Sequence, residues 1–197
     1  MGPGMNAVSD RCKMARQNVR AGVRVDRRFP LNIFVGAWSD FFFFDADWMT
    51  ESDFVEHVKS FLDVEGGQCA CLWKLDSEVA NERRFFFVGK QTTSNDYRAL
   101  LAGTTPGYGW LDAMARLACA SDVGEWCMYC EPNNEIGVIG FHQAGASARY
   151  SLAMARVHAR RFEDATREPP LSYGFSERAL SREWRDEFVR EYGTRTL

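Results

Sequence analysis

The chain has 197 residues, of which 46% are hydrophobic, 26% charged and 14% aromatic, a composition that excludes disordered, collagen-like and coiled-coil chains. It has no run of about 18 apolar residues, so a membrane-spanning helix is not expected. The formal net charge of −3 argues against strong attraction to nucleic acid or an anionic membrane surface, and we expect neither as a direct partner.

The N-terminal part of the chain predicts a helix followed by two apolar runs. Residues 1–28 form a basic segment, and positions 7–23 have apolar side chains on one helical face and arginines on the other. Pro30 interrupts this pattern. The apolar run at 31–38 predicts a buried strand, and a second run of four phenylalanines follows at 41–44.

The clearest predicted helix covers residues 51–65. Thr50 and Asp53 have the spacing of a capping box, and Gly66 is suited to end the helix. The apolar side chains recur at helical spacing along one face; they are Phe54, Val55, Val58, Phe61 and Leu62.

The rest of the chain mixes strands and helices. The predicted strands are 69–75, 84–88, 126–130 and 136–141. The predicted helices are 95–101, 110–120, 148–164 and 177–192, the last with Ser176 as its cap. Turn residues at 131–135 indicate a β-hairpin near 126–141. We therefore predict a single α+β domain over 29–197, with a mixed or antiparallel sheet packed by several amphipathic helices.

The six cysteines are interpreted as free thiols that pack as small hydrophobic side chains in a cytoplasmic protein. Cys69 and Cys71, together with Cys127 and Cys130, could in principle supply four zinc ligands. Positions 127 and 130 of one strand point to opposite faces, however, and so cannot reach the same metal ion. We expect no bound metal and no cofactor.

One short motif suggests catalysis. Residues 41–47 place Asp45 and Asp47 after an apolar run, and are similar to the strand on which haloacid-dehalogenase-like phosphatases present a nucleophilic and an acid/base aspartate beside magnesium. Trp48 and Met49 depart from that pattern. A small Mg²⁺-dependent phosphoryl-transfer or hydrolytic enzyme using Asp45 and Asp47 stays open as the alternative function, with His142 or Lys90 as further candidate groups.

Charge is distributed very unevenly along the chain. Residues 10–28 have seven basic and two acidic side chains, whereas residues 39–65 have eight acidic side chains and the single Lys59. Aromatic side chains lie among these acids, and acids beside aromatics are typical of a surface that attracts a basic protein. The predicted partner-binding residues are Asp40, Asp45, Asp47, Trp48, Asp53 and Glu56.

The predicted hairpin has the sequence EWCMYCE at 125–131 and IGVIGF at 136–141. It resembles hairpins of small bacterial α+β proteins of the toxin-immunity type, found in polymorphic-toxin and contact-dependent-inhibition systems. The resemblance implies a non-catalytic cytoplasmic protein that binds and neutralises a cognate toxin. It assigns no catalytic residue, and it leaves the partner and the oligomeric state open.

Overall fold

The computed structural model describes residues 3–76, 85–103, 115–165 and 181–193. Within these ranges the chain forms one seven-stranded antiparallel sheet with helices on both of its faces, which confirms the predicted single-domain α+β fold. The strands are β1 (Asp40–Asp45), β2 (Cys69–Lys74), β3 (Phe85–Gly89), β4 (Leu117–Ser121), β5 (Trp126–Glu131), β6 (Ile136–Phe141) and β7 (Arg160–Arg161). The helices are α1 (Pro3–Gly22), α2 (Phe54–Glu65), α3 (Ser94–Ala102), α4 (Ser151–Arg156), α5 (Phe162–Ala165) and α6 (Arg182–Tyr192).

The strands lie in the order β3-β2-β4-β5-β6-β1-β7. β5 and β6 form the predicted hairpin, in which Trp126 pairs with Phe141 and Glu131 pairs with Ile136. β1 then lies beside β6, so that Asp40 is opposite Phe141 and Asp45 is opposite Ile136. This pairing decides which loops meet at each end of the sheet.

Each face of the sheet has its own apolar core. On one face, α2, α3 and α4 cover Phe42, Phe44, Leu72 and Met128. On the other, α1, α6 and the segment at 23–34 cover side chains that include Phe43, Cys71, Tyr129 and Val138. Most strands are therefore buried on both sides, and Cys127 and Cys130 lie in opposite cores as their spacing predicts.

The basic N-terminal segment is part of this packing. In α1, Ala15 and Val19 are completely buried against the sheet. Asn18 donates to the carbonyl of Ser121 at 2.9 Å, and Arg16 lies 4.2 Å from the ring centre of Phe85. Residues 10–28 therefore cover one face of the sheet.

The predicted strand at 31–38 is wrong. These residues form an irregular segment in which Ile33 and Phe34 are buried and a single bridge joins Val23 to Phe34. Its backbone N–H groups find acceptors outside the sheet, because Ile33 N donates to the Tyr192 hydroxyl and Val35 N donates to Gly22 O. An apolar run is thus buried by packing onto a sheet and not by joining it.

The predicted helix at 110–120 is also wrong where the structure describes it, because residues 117–121 form β4, an interior strand of the sheet. All five of its residues are buried, so the alternation that marks a half-exposed strand is missing. The predicted helix at 148–164 is broken into α4, β7 and α5, with His158 in a left-handed conformation between the first two. In the last helix, Ser181 caps α6; Ser176 lies outside the described residues.

The predicted helix at 51–65 is shorter than expected. α2 begins at Phe54, and Asp53 precedes it without a capping hydrogen bond from its side chain. Thr50 does not cap α2, since its hydroxyl donates to Asp47 O at 2.8 Å and closes a 3₁₀ helix over Ala46–Thr50. Two short helical elements therefore follow β1 in place of one.

Candidate functional site

The predicted acidic residues lie mainly where β1 ends. The Asp45 carboxylate accepts a hydrogen bond from Asp47 N at 2.9 Å and so caps the 3₁₀ helix that follows. Burial raises the pKa of Asp45, opposed by this hydrogen bond and assisted by the charge of Asp47. Asp47 itself is exposed. The Asp45 carboxylate therefore has a structural role, and the Asp47 carboxylate is open to solvent.

Sequence reasoning missed Glu135 at this site. Because Asp45 pairs with Ile136, the preceding residue lies next to the end of β1, and Ala46 N donates to Glu135 O at 3.2 Å. The Glu135 side chain is exposed. This proximity arises from strand pairing across the sheet, which the local pattern around Asp45 could not indicate.

An aromatic cluster lies beside these acids. Trp48 is half-buried, with its ring centre 5.1 Å from that of His57 and 5.6 Å from that of His158. His57 is only 9% exposed, and neither ring nitrogen has a hydrogen-bond partner among the described residues. Burial lowers the pKa of His57; Asp53 and Glu56 oppose this shift. Trp48 therefore joins the end of β1 to the first turns of α2.

The polar face of α2 is acidic, as its periodicity predicts. Asp53, Glu56 and Asp63 are exposed, and Lys59 pairs with Glu56 at 2.9 Å. Asp47 and Asp53 form no ion pair with any described residue. We define the acidic surface as Asp45, Asp47, Trp48, Asp53, Glu56 and Glu135. Its charge is only partly neutralised within the chain.

Asp40 does not belong to the acidic surface. It lies at the opposite end of β1, about 17 Å from Asp45 at the usual rise per residue of a strand. Its carboxylate accepts hydrogen bonds from Gly145 N at 3.0 Å and from the Ser147 hydroxyl at 2.8 Å. The structure therefore gives Asp40 a structural role that orders the loop after β6.

The groups suggested for a magnesium enzyme do not come together. His142 follows β6 at the Asp40 end of the sheet, where it stacks on Trp38 with ring centres 3.7 Å apart. Lys90 follows β3, the edge strand farthest from β1 and β7. Across the ranges that the structure describes, no group of three or more histidine, cysteine, aspartate or glutamate side chains could hold a metal ion.

The basic segment lies on the other face of the sheet and most of its charge is used in structural contacts. Arg24 and Arg27 donate to the carbonyls of Phe34 and Asn32, Arg28 pairs with Glu131, and Arg11 pairs with Asp122 at 3.4 Å. The local charges seen in the sequence are thus separated across the sheet. On the acidic side, Asp47 and Asp53 have no ion pair within the described ranges.

Another acidic side chain, Glu65, is half-buried at the end of α2. Trp126 Nε1 donates to one oxygen of Glu65 at 2.9 Å, and the other oxygen is buried. Burial raises the pKa of Glu65 to about 7, aided by the nearby charges of Glu125 and Asp122. Neither the depth of this side chain nor its partner could be read from the helix pattern.

We expect Glu65→Gln to remove a pH dependence of stability. The pKa of Glu65 is 4.5 in the unfolded chain and about 7 in the folded protein. The protonated Glu65 side chain therefore contributes its full stability below pH 4.5, and this contribution is lost as the pH rises through about 7. The amide has no charge to bury, so the variant should exceed the wild type in stability at alkaline pH by about 1–3 kcal/mol.

The measurement is the free energy of unfolding in urea between about pH 5 and pH 8. The control is Glu51→Gln, at an exposed position, which should follow the wild-type curve. Equal pH slopes for Glu65→Gln and the wild type would show that Glu65 is ionised throughout this range.

Comparison of the chain with protein-family models, with curated proteins and with solved structures found no match. In the described part of the chain, no helix has both the length and the apolar character needed to cross a bilayer. The function must therefore be argued from the geometry and charge of the surfaces described above.

Proposed function

We propose that this chain is a non-catalytic bacterial protein-binding protein of the cytoplasm, an immunity- or antitoxin-type inhibitor that neutralises a basic partner through the acidic surface. The proposal rests on one observation: beside the half-buried Trp48 lie exposed carboxylates that form no ion pair within the described part of the chain. The inhibitor class is proposed from the resemblance of the β5–β6 hairpin to hairpins of toxin-immunity proteins. The binding role is proposed from the exposed charges of the acidic surface.

The chemistry of the acidic surface suits protein recognition. A tryptophan that is partly exposed offers a large apolar contact at low entropic cost, and such residues often dominate the energy of an interface. Exposed acids around it accelerate the encounter with a basic partner and oppose acidic competitors. Asp47, Asp53 and Glu135 are available for this role, since none of them is paired within the described residues.

The magnesium-dependent enzyme is less well supported. The Asp45 carboxylate already accepts a backbone hydrogen bond, and neither His142 nor Lys90 lies at this end of β1. Among the described residues, no group of three or more carboxylate, histidine or cysteine side chains converges here to bind a divalent cation. The geometry therefore favours the binding protein.

We expect the double substitution Asp47→Lys and Glu56→Lys to weaken partner binding about a hundredfold, because like charges would face each other across the interface. Both side chains are exposed, so the fold should tolerate the change. The partner would first be captured from an extract of the source organism on the immobilised wild-type chain and identified by mass spectrometry. Affinity would then be measured at low and at high salt.

The matched control is Asp10→Lys with Asp26→Lys, which makes the same change in net charge on exposed residues of the basic segment. This variant should retain wild-type affinity. If both double variants bind the partner equally, the acidic surface is not the interface. If the captured partner is acidic, the proposed electrostatic mechanism is wrong.

A further inference from the structure

Two cysteines meet where α1 crosses β2. Cys12 is partly exposed and lies on the helix face that also presents the buried Ala15 and Val19 to the sheet. Cys69 begins β2, is 2% exposed and belongs to the same core. Cys12 packs against that core, and the proximity of its thiol adds to burial in raising the pKa of Cys69. This contact joins a helix to a strand far away in sequence.

Contacts that do not involve sulfur hold this pair in place. Asp122, at the end of β4, accepts a hydrogen bond from Cys69 N at 3.3 Å and pairs with Arg11 at 3.4 Å. One carboxylate thus connects the backbone of Cys69 to the residue that precedes Cys12. One turn further along α1, Arg16 stacks on an aromatic ring of β3. The helix is therefore fixed over β2 on both sides of the thiol pair.

The two thiols differ in access. All the other cysteines are buried, so Cys12 is the thiol that solvent can reach most easily. Burial raises the pKa of Cys69, which makes it a poor first target for an oxidant. A partly exposed thiol packed beside a buried one is the arrangement of a reactive cysteine next to a resolving cysteine.

We propose that Cys12 and Cys69 form a reversible intramolecular disulfide when the protein meets hydrogen peroxide. The Cys12 thiolate attacks one peroxide oxygen, the O–O bond breaks, and the leaving hydroxide takes up a proton to become water, giving a sulfenic acid. The Cys69 sulfur then attacks the Cys12 sulfur, an S–S bond forms, and the S–O bond breaks with release of a second water. Two thiols are oxidised and one peroxide is reduced.

The disulfide fixes α1 on the sheet. It closes the chain between residues 12 and 69 and so restricts the unfolded state, which raises the melting temperature of the oxidised protein by about 5–10 °C. A thiol reductant returns the protein to its original melting temperature. The basic segment is thereby fastened to the domain in an oxidising environment and held by non-covalent packing in a reducing one.

The test uses the reduced full chain, treated with hydrogen peroxide, blocked with N-ethylmaleimide and digested without reduction by a protease that cuts before aspartate. The expected product joins peptide 10–25 to peptide 63–75, and the intact protein loses the mass of two hydrogen atoms. Cys71→Ser, which removes the neighbouring thiol on the same strand face, should retain the cross-link and the rise in melting temperature. Cys12→Ser and Cys69→Ser should lose both.

Three results would overturn the proposal. The first is a wild-type chain that stays fully reactive with maleimide after peroxide treatment. The second is a cross-link that persists in Cys69→Ser, and the third is oxidation of Cys12 to sulfinic acid without any cross-link. Since Cys12 is partly exposed, its serine variant should fold, and its circular dichroism spectrum can be checked against that of the reduced wild type.

Discussion

Replacing Arg116 by alanine is expected to lower the free energy of unfolding by about 3–5 kcal/mol, because the change removes the buried cation of a hydrogen-bonded network and leaves its acceptors to the more exposed Arg28. The Arg116 side chain is 8% exposed and donates to Asp76 at 2.9 Å from Nε and 2.6 Å from Nη2. It also donates to the carbonyls of Arg27 at 2.7 Å and Val25 at 3.0 Å. It thus holds the segment after α1 against the start of β4.

The same substitution should alter the response to acid. Burial alone would raise the pKa of Asp76, but the hydrogen bonds and charge of Arg116 outweigh it and the pKa is lowered. The stability that this interaction gives to the fold is complete above the unfolded-state pKa of Asp76, which is 3.8. It is lost as the pH falls through the lower pKa of the folded state. Denaturant unfolding of Arg116→Ala should therefore show a weaker loss of stability in acid than the wild type.

The control is Arg182→Ala, which removes an arginine side chain that is 90% exposed and lies 3.8 Å from Asp186. Exposed ion pairs of this kind contribute little, so the change should stay below about 0.5 kcal/mol. If Arg116→Ala costs no more than this control, the network does not hold the segment after α1.

Substitution of Gly137 by alanine is the second change with a large expected effect. Gly137 pairs directly with Phe44, and a Cβ atom on it would lie 2.5 and 2.6 Å from two ring carbons of Phe44. The ring is 2% exposed and cannot move outward without leaving the core. We expect a loss of about 2–3 kcal/mol, measured as the free energy of unfolding in urea.

Two further variants test the cause of that loss. Gly89→Ala changes a glycine of edge strand β3, whose added Cβ would meet only Gln68 O at 3.5 Å, and it should be nearly neutral. Phe44→Leu combined with Gly137→Ala should recover part of the loss, because the smaller side chain makes room for the new methyl group. Additive effects of the two substitutions would show that the ring is not the obstacle.

Local patterns in the sequence identify the elements that have one apolar face and one polar face. The stripe of Phe54, Val58 and Phe61 predicts α2, and all three side chains are buried; in α6, Trp184 and Phe188 are buried at the same helical spacing of four. The hairpin is marked by its turn residues. These signals are local, because each depends on residues a few positions apart.

Features that depend on distant contacts could not be predicted in this way. β4 has no alternation because helices cover both of its faces, and Ile33 with Phe34 is buried without joining the sheet. The pairing of β1 with β6 places Glu135 beside Asp45 in the acidic surface. Asp40 lies outside this surface, at the other end of β1. His57 is buried because Trp48, which precedes α2, packs against it. Each case requires knowledge of strand order or tertiary packing.

The place of β1 in the sheet has a consequence for folding. Its partner β6 lies almost a hundred residues further along the chain, and β7 comes later still. During synthesis, the four consecutive phenylalanines of β1 emerge well before either neighbouring strand exists. Pairings of such long range slow folding, and unpaired apolar strands promote association between nascent chains. The acids Asp40 and Asp45 on either side of this run would oppose that association until β6 arrives.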